Sequence, residues 1–143
     1  MGGKSLKAWI FDYWETGDFS PVLKEFEQVS REKSRAYKLL RLKVSSLRNK
    51  PLSALIEPQI LKDLGDGLWQ LEVAAGGTIY HFLGSVELSF GTERFVALSG
   101  YNRKDTRKLR ASREEEARVR LDLHRQRYQI IQIAIYYGLP PQQ

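Results

Sequence analysis

LWQLEVAAGGTIYHFLGSVELSFGTERFVALSGY, residues 68–101, carries the clearest structural pattern in this 143-residue sequence. Its short segments are rich in aromatic and β-branched residues, and the turn pairs Gly76-Gly77 and Gly91-Thr92 separate them. The predicted strands cover residues 68–73, 78–83, 86–90 and 95–101. Because a parallel pair of strands needs a long crossover connection, strands joined by so few residues are expected to pair antiparallel.

Helical patterns precede this sheet. Ser20-Pro21 has the composition of a helix start, since serine caps free N–H groups and proline suits the first helical position. A second helix is predicted over 31–48, where apolar residues recur at spacings of three and four. The aromatic segment 7–14 predicts an opening strand.

A C-terminal helix is predicted to follow the sheet. Ser112 and Glu115 match a capping box, which marks a helix start. The isoleucines in 128–137 also fit strand alternation, but we interpret this segment as a continuation of the helix. The expected fold class is α+β: two N-terminal helices packed on a twisted antiparallel sheet of about four to five strands, with a C-terminal helix. Residues 1–143 are expected to form a single domain.

The composition excludes several classes of chemistry. The chain has no cysteine, which rules out disulfides and thiolate metal sites, and its two histidines are too few for a His-rich metal centre. We therefore expect no metal and no small-molecule cofactor. No apolar run approaches the ~20 residues of a membrane span, and no secretory signal is visible. The expected location is the cytoplasm, without a membrane partner.

The positive charge is concentrated at both ends of the chain. Residues 1–50 hold 11 basic and 6 acidic side chains, residues 51–100 hold 2 and 6, and residues 101–143 hold 10 and 5. The densest basic runs are 31–50 and 103–113. A solvated helix face is the simpler interpretation of each run, but two runs around an acidic middle favour binding to nucleic acid.

The most informative local stretch begins at Tyr101, where a predicted strand ends in an aromatic residue. The following loop carries Arg103, Lys104, Arg107 and Lys108. Arginine binds phosphate through two parallel hydrogen bonds, and tyrosine offers both base stacking and a hydroxyl for acid–base chemistry. A metal-free ribonuclease requires these groups, because cations stabilise the phosphorane and a titratable group takes the 2′-OH proton.

His81 is the second candidate for acid–base chemistry. It lies in the middle of a predicted strand whose neighbours are polar or aromatic. Composition alone favours a structural role for this imidazole over a catalytic one. No serine–histidine–aspartate order is compelling, since the glycine elbow of the hydrolases is absent.

The order of these segments resembles that of the RelE/HigB toxins of bacterial and phage toxin–antitoxin systems, within the RelE/ParE superfamily. The likeness is strongest to the phage-derived host-inhibition branch. It covers roughly residues 6–127, and the stretches that carry it are 64–72, 79–82 and 96–104.

The resemblance implies a toxin that inhibits translation as a ribosome-dependent mRNA endonuclease, or mRNA interferase. The implied reaction needs no metal: the 2′-OH attacks the adjacent phosphate and leaves a 2′,3′-cyclic phosphate and a 5′-OH. Tyr101 and His81 would be the general acid and base. The phosphate-holding residues would be Arg103, Lys104, Arg107 and Lys108, and the contacts to ribosomal RNA would come from Arg35, Lys38 and Arg41. The implied partners are the ribosome, mRNA and a cognate antitoxin protein.

Three positions depart from the family pattern. Gln70 replaces a glutamate, Glu72 replaces an arginine that ends the first strand, and His81 replaces an arginine of the next strand. Imidazole titrates near neutral pH, so His81 could partly replace the lost cation or act as a base. Two alternatives therefore stay open: a gyrase-targeting ParE-like toxin, and a catalytically inactive relative that binds RNA or protein.

Overall fold

The computed structural model describes residues 7–14, 35–89 and 91–136, and in them five strands and two α-helices form an α+β fold. The strands are β1 (Trp9–Tyr13), β2 (Leu61–Gly65), β3 (Leu68–Ala75), β4 (Thr78–Ser89) and β5 (Thr92–Asn102), and the helices are α1 (Arg35–Leu47) and α2 (Arg107–Tyr136), with a short 3₁₀ helix at Leu52–Leu55. The strands form one sheet in the order β1-β5-β4-β3-β2.

The predicted antiparallel meander is confirmed. β3 pairs with β4 and β4 pairs with β5, both antiparallel. The segment 86–90, predicted as a separate strand, is instead the continuation of β4 as far as Ser89, and Phe90 lies outside the described residues. The sheet also has an edge strand that the sequence did not predict, β2, which pairs antiparallel with β3.

The prediction of a wholly antiparallel sheet is wrong at the other edge. β1 pairs parallel to β5, with Trp9 opposite Glu93 and Tyr13 opposite Ala97. The short-connection argument applies only to strands that follow each other directly, whereas about 80 residues separate these two strands in the sequence. The sheet is therefore mixed.

The N-terminal helices agree with the prediction only in part. The helix expected to begin at Ser20-Pro21 lies outside the described residues. The helix predicted over 31–48 is present as α1, Arg35–Leu47. The part of the chain that the structure describes therefore has one α-helix, rather than two, between β1 and the meander.

The C-terminal helix begins earlier than predicted. α2 starts at Arg107, and the Thr106 hydroxyl accepts a hydrogen bond from the Leu109 backbone N–H at 3.2 Å. Threonine is itself a favoured capping residue, and it acts here without the glutamate that completes a capping box. Ser112 is therefore an exposed residue within the helix. The continuation of the helix through 128–136 is confirmed.

The two helices pack on opposite faces of the sheet. α1 buries Leu40 and Val44 against one face, whereas α2 buries Ala117 and Leu121 against the other. Neither described helix is long and apolar enough to cross a membrane. Along β5 the two faces alternate: Phe95 and Ala97 belong to the α1 face, and Val96 and Leu98 belong to the α2 face.

Candidate functional site

The site centres on two stacked rings on the α2 face of the sheet. His81 of β4 and Tyr101 of β5 are directly opposite each other in the antiparallel pairing. Their ring centroids lie 4.6 Å apart with an interplanar angle of 15°. Both residues are buried, with 6% of His81 and 8% of Tyr101 exposed. The structure therefore brings together the two side chains that the sequence suggested as acid and base.

A β-bulge in β5 makes this contact. The pairing with β4 shifts by one residue near Leu98, so this residue is an extra one in its strand. Before the bulge, odd-numbered residues such as Phe95 point to the α1 face. After it, the odd-numbered Tyr101 points to the α2 face and packs there with the α2 core. Without the extra residue, alternation would place Tyr101 on the face opposite to His81.

Two polar side chains of β3 face the stacked rings. Tyr101 donates a hydrogen bond from its hydroxyl to Gln70 Oε1 at 3.1 Å. Glu72 is opposite His81 in the pairing of β3 with β4, and its Oε1 lies 3.9 Å from His81 Nε2. Gln70 thus fixes the phenol, while Glu72 sets the charge beside the imidazole.

Two arginines complete the site. Arg103 forms an ion pair with Glu72 through its Nη2, and 53% of its side chain is exposed. Arg110, in the first turns of α2, holds its guanidinium 5.3 Å from the centroid of the Tyr101 ring. A guanidinium over an aromatic face is attracted by the ring quadrupole and keeps its remaining donors for an anion.

Burial keeps both rings neutral near pH 7. It lowers the pKa of His81 below its ordinary value of 6.5, and the charges of Arg103 and Arg110 add to this effect, while Glu72 opposes it. Burial also raises the pKa of Tyr101 above 10, against the effect of the Arg110 charge. His81 Nδ1 is buried and has no hydrogen-bond partner among the described residues. The site therefore pairs an unprotonated imidazole with a protonated phenol.

The other predicted phosphate-binding residues lie in the turn after β5 and at the start of α2, and all three are exposed. Lys104 lies in the turn after β5, where its backbone N–H donates to Asn102 Oδ1 at 3.0 Å. Arg107 and Lys108 form the exposed first turn of α2. The positive end of the helix dipole lies there too, and no acidic residue occupies this turn. The three cations therefore form an exposed positive surface beside the stacked rings.

The three cations of α1 that were predicted to contact ribosomal RNA lie elsewhere. Arg35, Lys38 and Arg41 are exposed on a helix that packs on the opposite face of the sheet from His81. Arg41 holds its guanidinium 5.7 Å from the Tyr37 ring centroid. The structure does not bring this group to the site, so it is a second basic surface.

Arg110 is the site residue that the sequence-based reasoning did not select. With α2 beginning at Arg107, Arg110 precedes Ala117 and Leu121 by seven and eleven residues, which puts it on the helix side that faces the sheet. A start at Ser112 left Arg110 in a loop. The capping potential of Thr106 was the sequence feature that could have identified it.

The site consists of two rings, an amide, a carboxylate and two guanidinium groups. In the described ranges, no group of three or more histidine, aspartate or glutamate side chains could hold a metal ion. No protein-family model, curated protein or solved structure matches this chain.

Proposed function

We propose that this protein is a metal-independent endoribonuclease of the RelE/HigB toxin type. It would act in the cytoplasm on mRNA in the ribosome and would be restrained by a cognate antitoxin. The observation that carries the proposal is the stacked pair of His81 and Tyr101 with Arg103 and Arg110 beside it. Together with the sequence resemblance, this arrangement supports general acid–base cleavage of RNA.

Each group has a defined role in the proposed reaction. His81, neutral near pH 7, takes the proton of the 2′-OH as that oxygen attacks the adjacent phosphorus. The bond from phosphorus to the 5′ oxygen breaks, and Tyr101 gives its proton to this leaving oxygen. Arg103 and Arg110 stabilise the negative charge on the phosphorane. The products are a 2′,3′-cyclic phosphate and a 5′-OH.

The substrate has to compete with Glu72. This carboxylate is ion-paired with Arg103, and both of the proposed catalytic rings are buried. A phosphate that binds Arg103 replaces the carboxylate in its fork, because both anions suit the same bidentate geometry. Binding of RNA would then open the Glu72–Arg103 pair and give the scissile phosphate access to His81.

A second candidate function is RNA binding without cleavage. The burial of His81 and Tyr101, and the neutralisation of Arg103 by Glu72, are the specific observations that favour it. In this case the exposed cations at the start of α2 would hold RNA, and the stacked rings would only stabilise the sheet.

The test is a cell-free translation reaction in which mRNA ends are mapped after the protein is added. We expect new 5′-OH and 2′,3′-cyclic phosphate ends inside the coding region, and only when the mRNA is translated. Ends with a 5′-phosphate would contradict the proposed chemistry. Ribosome binding without new ends would support the binding-only candidate, and trapped DNA breaks with purified gyrase would support a ParE-like activity instead.

A further inference from the structure

A second polar pocket lies on the α2 face of the sheet, away from the stacked rings. Its volume is about 240 Å³, and Trp14, Glu87, Arg94, His124 and Arg127 line it together with Asp12, Tyr13 and Val96. Glu87 follows His81 by six residues on β4, which corresponds to roughly 20 Å along the strand. The pocket is therefore separate from the proposed cleavage site.

A histidine held by a carboxylate forms one wall of the pocket. His124 Nε2 lies 2.5 Å from Glu87 Oε2, and the same oxygen accepts a hydrogen bond from the Ser85 hydroxyl at 3.2 Å. Burial alone would raise the pKa of Glu87, but these hydrogen bonds and the nearby charges of His124 and Arg94 bring it below 4.5. Ser85 bonds to the carboxylate and not to the imidazole, so the three residues are not a nucleophilic triad.

Two guanidinium groups and the Asp12 carboxylate carry the rest of the pocket's charge. Arg94 pairs with Asp12 at 2.6 Å through one of its nitrogens, which leaves its other donors available. Arg127 lies over the Trp14 ring, 5.9 Å from its centroid. The Trp14 Nε1–H is buried and has no acceptor in the part of the chain that the structure describes. An oxygen-rich ligand seated beside Trp14 would supply one.

We propose that this pocket binds a phosphate monoester group, carried by a nucleotide or by the end of an RNA strand. Arg94 and Arg127 offer donors in the geometry that phosphate oxygens accept, and His124 lines the pocket beside them. The volume is below the range of ~300–1,000 Å³ usual for drug-sized ligands, which suits a phosphate with its adjoining sugar rather than a large cofactor. This site stands independently of RNA cleavage at His81.

Four charged groups line the pocket: Asp12 on β1, Glu87 on β4, Arg94 on β5 and Arg127 on α2. Asp12 is paired with Arg94, and Glu87 is bonded to His124, so each carboxylate already has a partner. The two guanidinium groups are the donors that a phosphate would use.

The experiment is a titration followed by NMR of the imidazole rings, since the chain contains only two histidines and each reports one site. The probes are 5′-AMP, adenosine, and short RNA strands with a 5′-phosphate or a 5′-hydroxyl. We expect 5′-AMP to shift the His124 ring signals and adenosine to leave them unchanged, because only the nucleotide carries the phosphate.

Variants and controls make the outcome specific. Arg127→Gln should weaken 5′-AMP binding about tenfold or more, whereas Arg125→Gln, whose guanidinium bonds the Asp66 carbonyl outside the pocket, should leave it within about twofold. Tighter binding of the phosphorylated RNA than of 5′-AMP would identify a strand end as the ligand, and equal binding would identify the nucleotide.

Three results would overturn the proposal: no shift of His124 at millimolar 5′-AMP, equal shifts with adenosine, or shifts confined to His81. The last result would place phosphate at the cleavage site alone. Conversely, His124 shifts in a protein that fails to cleave mRNA would separate the failure of the proposed function from this inference.

Discussion

Both histidines of this chain face a glutamate on the α2 side of the sheet, but the two pairs differ in construction. His81 is buried, stacks on Tyr101, and lies 3.9 Å from the carboxylate of Glu72, which is ion-paired with Arg103. The side chain of His124 is 21% exposed, and its Nε2 lies 2.5 Å from the carboxylate of Glu87. In the first pair, burial lowers the pKa of the imidazole. In the second pair, a direct hydrogen bond to the carboxylate holds the imidazole in place.

The difference shows how the surroundings of a side chain set its chemistry. A buried imidazole whose acidic neighbour is paired elsewhere remains neutral and can accept a proton. An imidazole that hydrogen-bonds directly to an ionised carboxylate has one nitrogen fixed and its orientation set. The first arrangement suits a general base, and the second holds a ring in a fixed orientation in the wall of a pocket.

The largest expected effect concerns cleavage by the first pair. His81→Phe keeps a ring stacked on Tyr101 but removes the proposed base, and Tyr101→Phe keeps the ring but removes the proposed acid. Each should slow cleavage of translated mRNA about a hundredfold or more, because general acid–base groups typically contribute ~10²–10⁴-fold. Rates of appearance of 5′-OH ends measure the effect.

The matched control is Tyr80→Phe, since Tyr80 lies on the opposite face of β4. It should change the cleavage rate by no more than about twofold. Unfolding curves should show that all three variants fold. Cleavage at the parent rate in His81→Phe would remove the imidazole from the mechanism.

Gly84 lies between His81 and Glu87 on β4, so a larger side chain there would disturb the strand that carries both residues. A Cβ at this position would lie 2.7 Å from Phe95 Cζ. Gly84→Ala should therefore reduce the free energy of unfolding by about 2–3 kcal/mol, since overpacked cores typically lose this much. Urea denaturation measures it, with the exposed Thr92→Ala on the same hairpin as the control, expected within about 0.5 kcal/mol. Equal stability of both variants would contradict the close packing of the two strands.

The sequence predicts much of the fold through its turns. The turn pairs Gly76-Gly77 and Gly91-Thr92 indicate which strands are neighbours. The resulting sheet places His81 and Tyr101 on adjacent strands, as expected. The face of Tyr101 could not be predicted in this way. It depends on the bulge at Leu98, and leucine itself does not mark a bulge. Gly84, on the partner strand at the shift in pairing, and Gly100 were the sequence features that could have indicated it.

Two other features lay beyond the sequence for similar reasons. The parallel pairing of β1 with β5 joins segments far apart in the chain, and no turn residue records such a pairing. The contact of Arg110 with Tyr101 depends on where α2 begins, and the sequence offers both Thr106 and Ser112 as caps. The pocket at His124 requires β1, β4, β5 and α2 together, so tertiary structure alone defines it.

The two pairs also differ in the charge around them. The first lies beside the exposed cations Lys104, Arg107 and Lys108, whereas the second has balanced charges. Reversing these three residues to glutamate should weaken RNA binding about tenfold or more. It should also flatten the plot of log affinity against log salt concentration by about two, since each lost phosphate contact removes ~0.7 from the slope for single strands. Reversal of Arg35, Lys38 and Arg41 is the matched comparison on the other face. An unchanged slope in the first variant would show that the start of α2 does not contact RNA.

Removing the carboxylate that is ion-paired with Arg103 should make the protein bind RNA more tightly. Glu72→Gln removes the carboxylate that competes with phosphate for Arg103, and we expect the affinity for RNA to rise about threefold. Glu93→Gln changes the net charge equally on β5 without touching Arg103 and should have a smaller effect. Filter binding at fixed salt compares them. Equal affinities in the two variants would show that Glu72 does not compete with the substrate.

The smallest effect is a difference in how the two pairs respond to acid. Because the folded protein holds the pKa of His81 below its ordinary value of 6.5, the unfolded chain binds more protons just under that pH. The contribution of His81 to the free energy of unfolding is therefore complete above pH 6.5 and is lost as the pH falls towards the lowered pKa. Glu87 also has a lowered pKa, but its contribution is retained until the pH falls below about 4.5. Urea denaturation at pH 7.5, 6 and 4 measures the free energy of unfolding. His81→Phe should reduce the loss of this free energy between pH 7.5 and 6, whereas Glu87→Gln should reduce its loss between pH 6 and 4. If His81→Phe loses stability between pH 7.5 and 6 as steeply as the parent, the buried imidazole is not the group that responds to acid in this range.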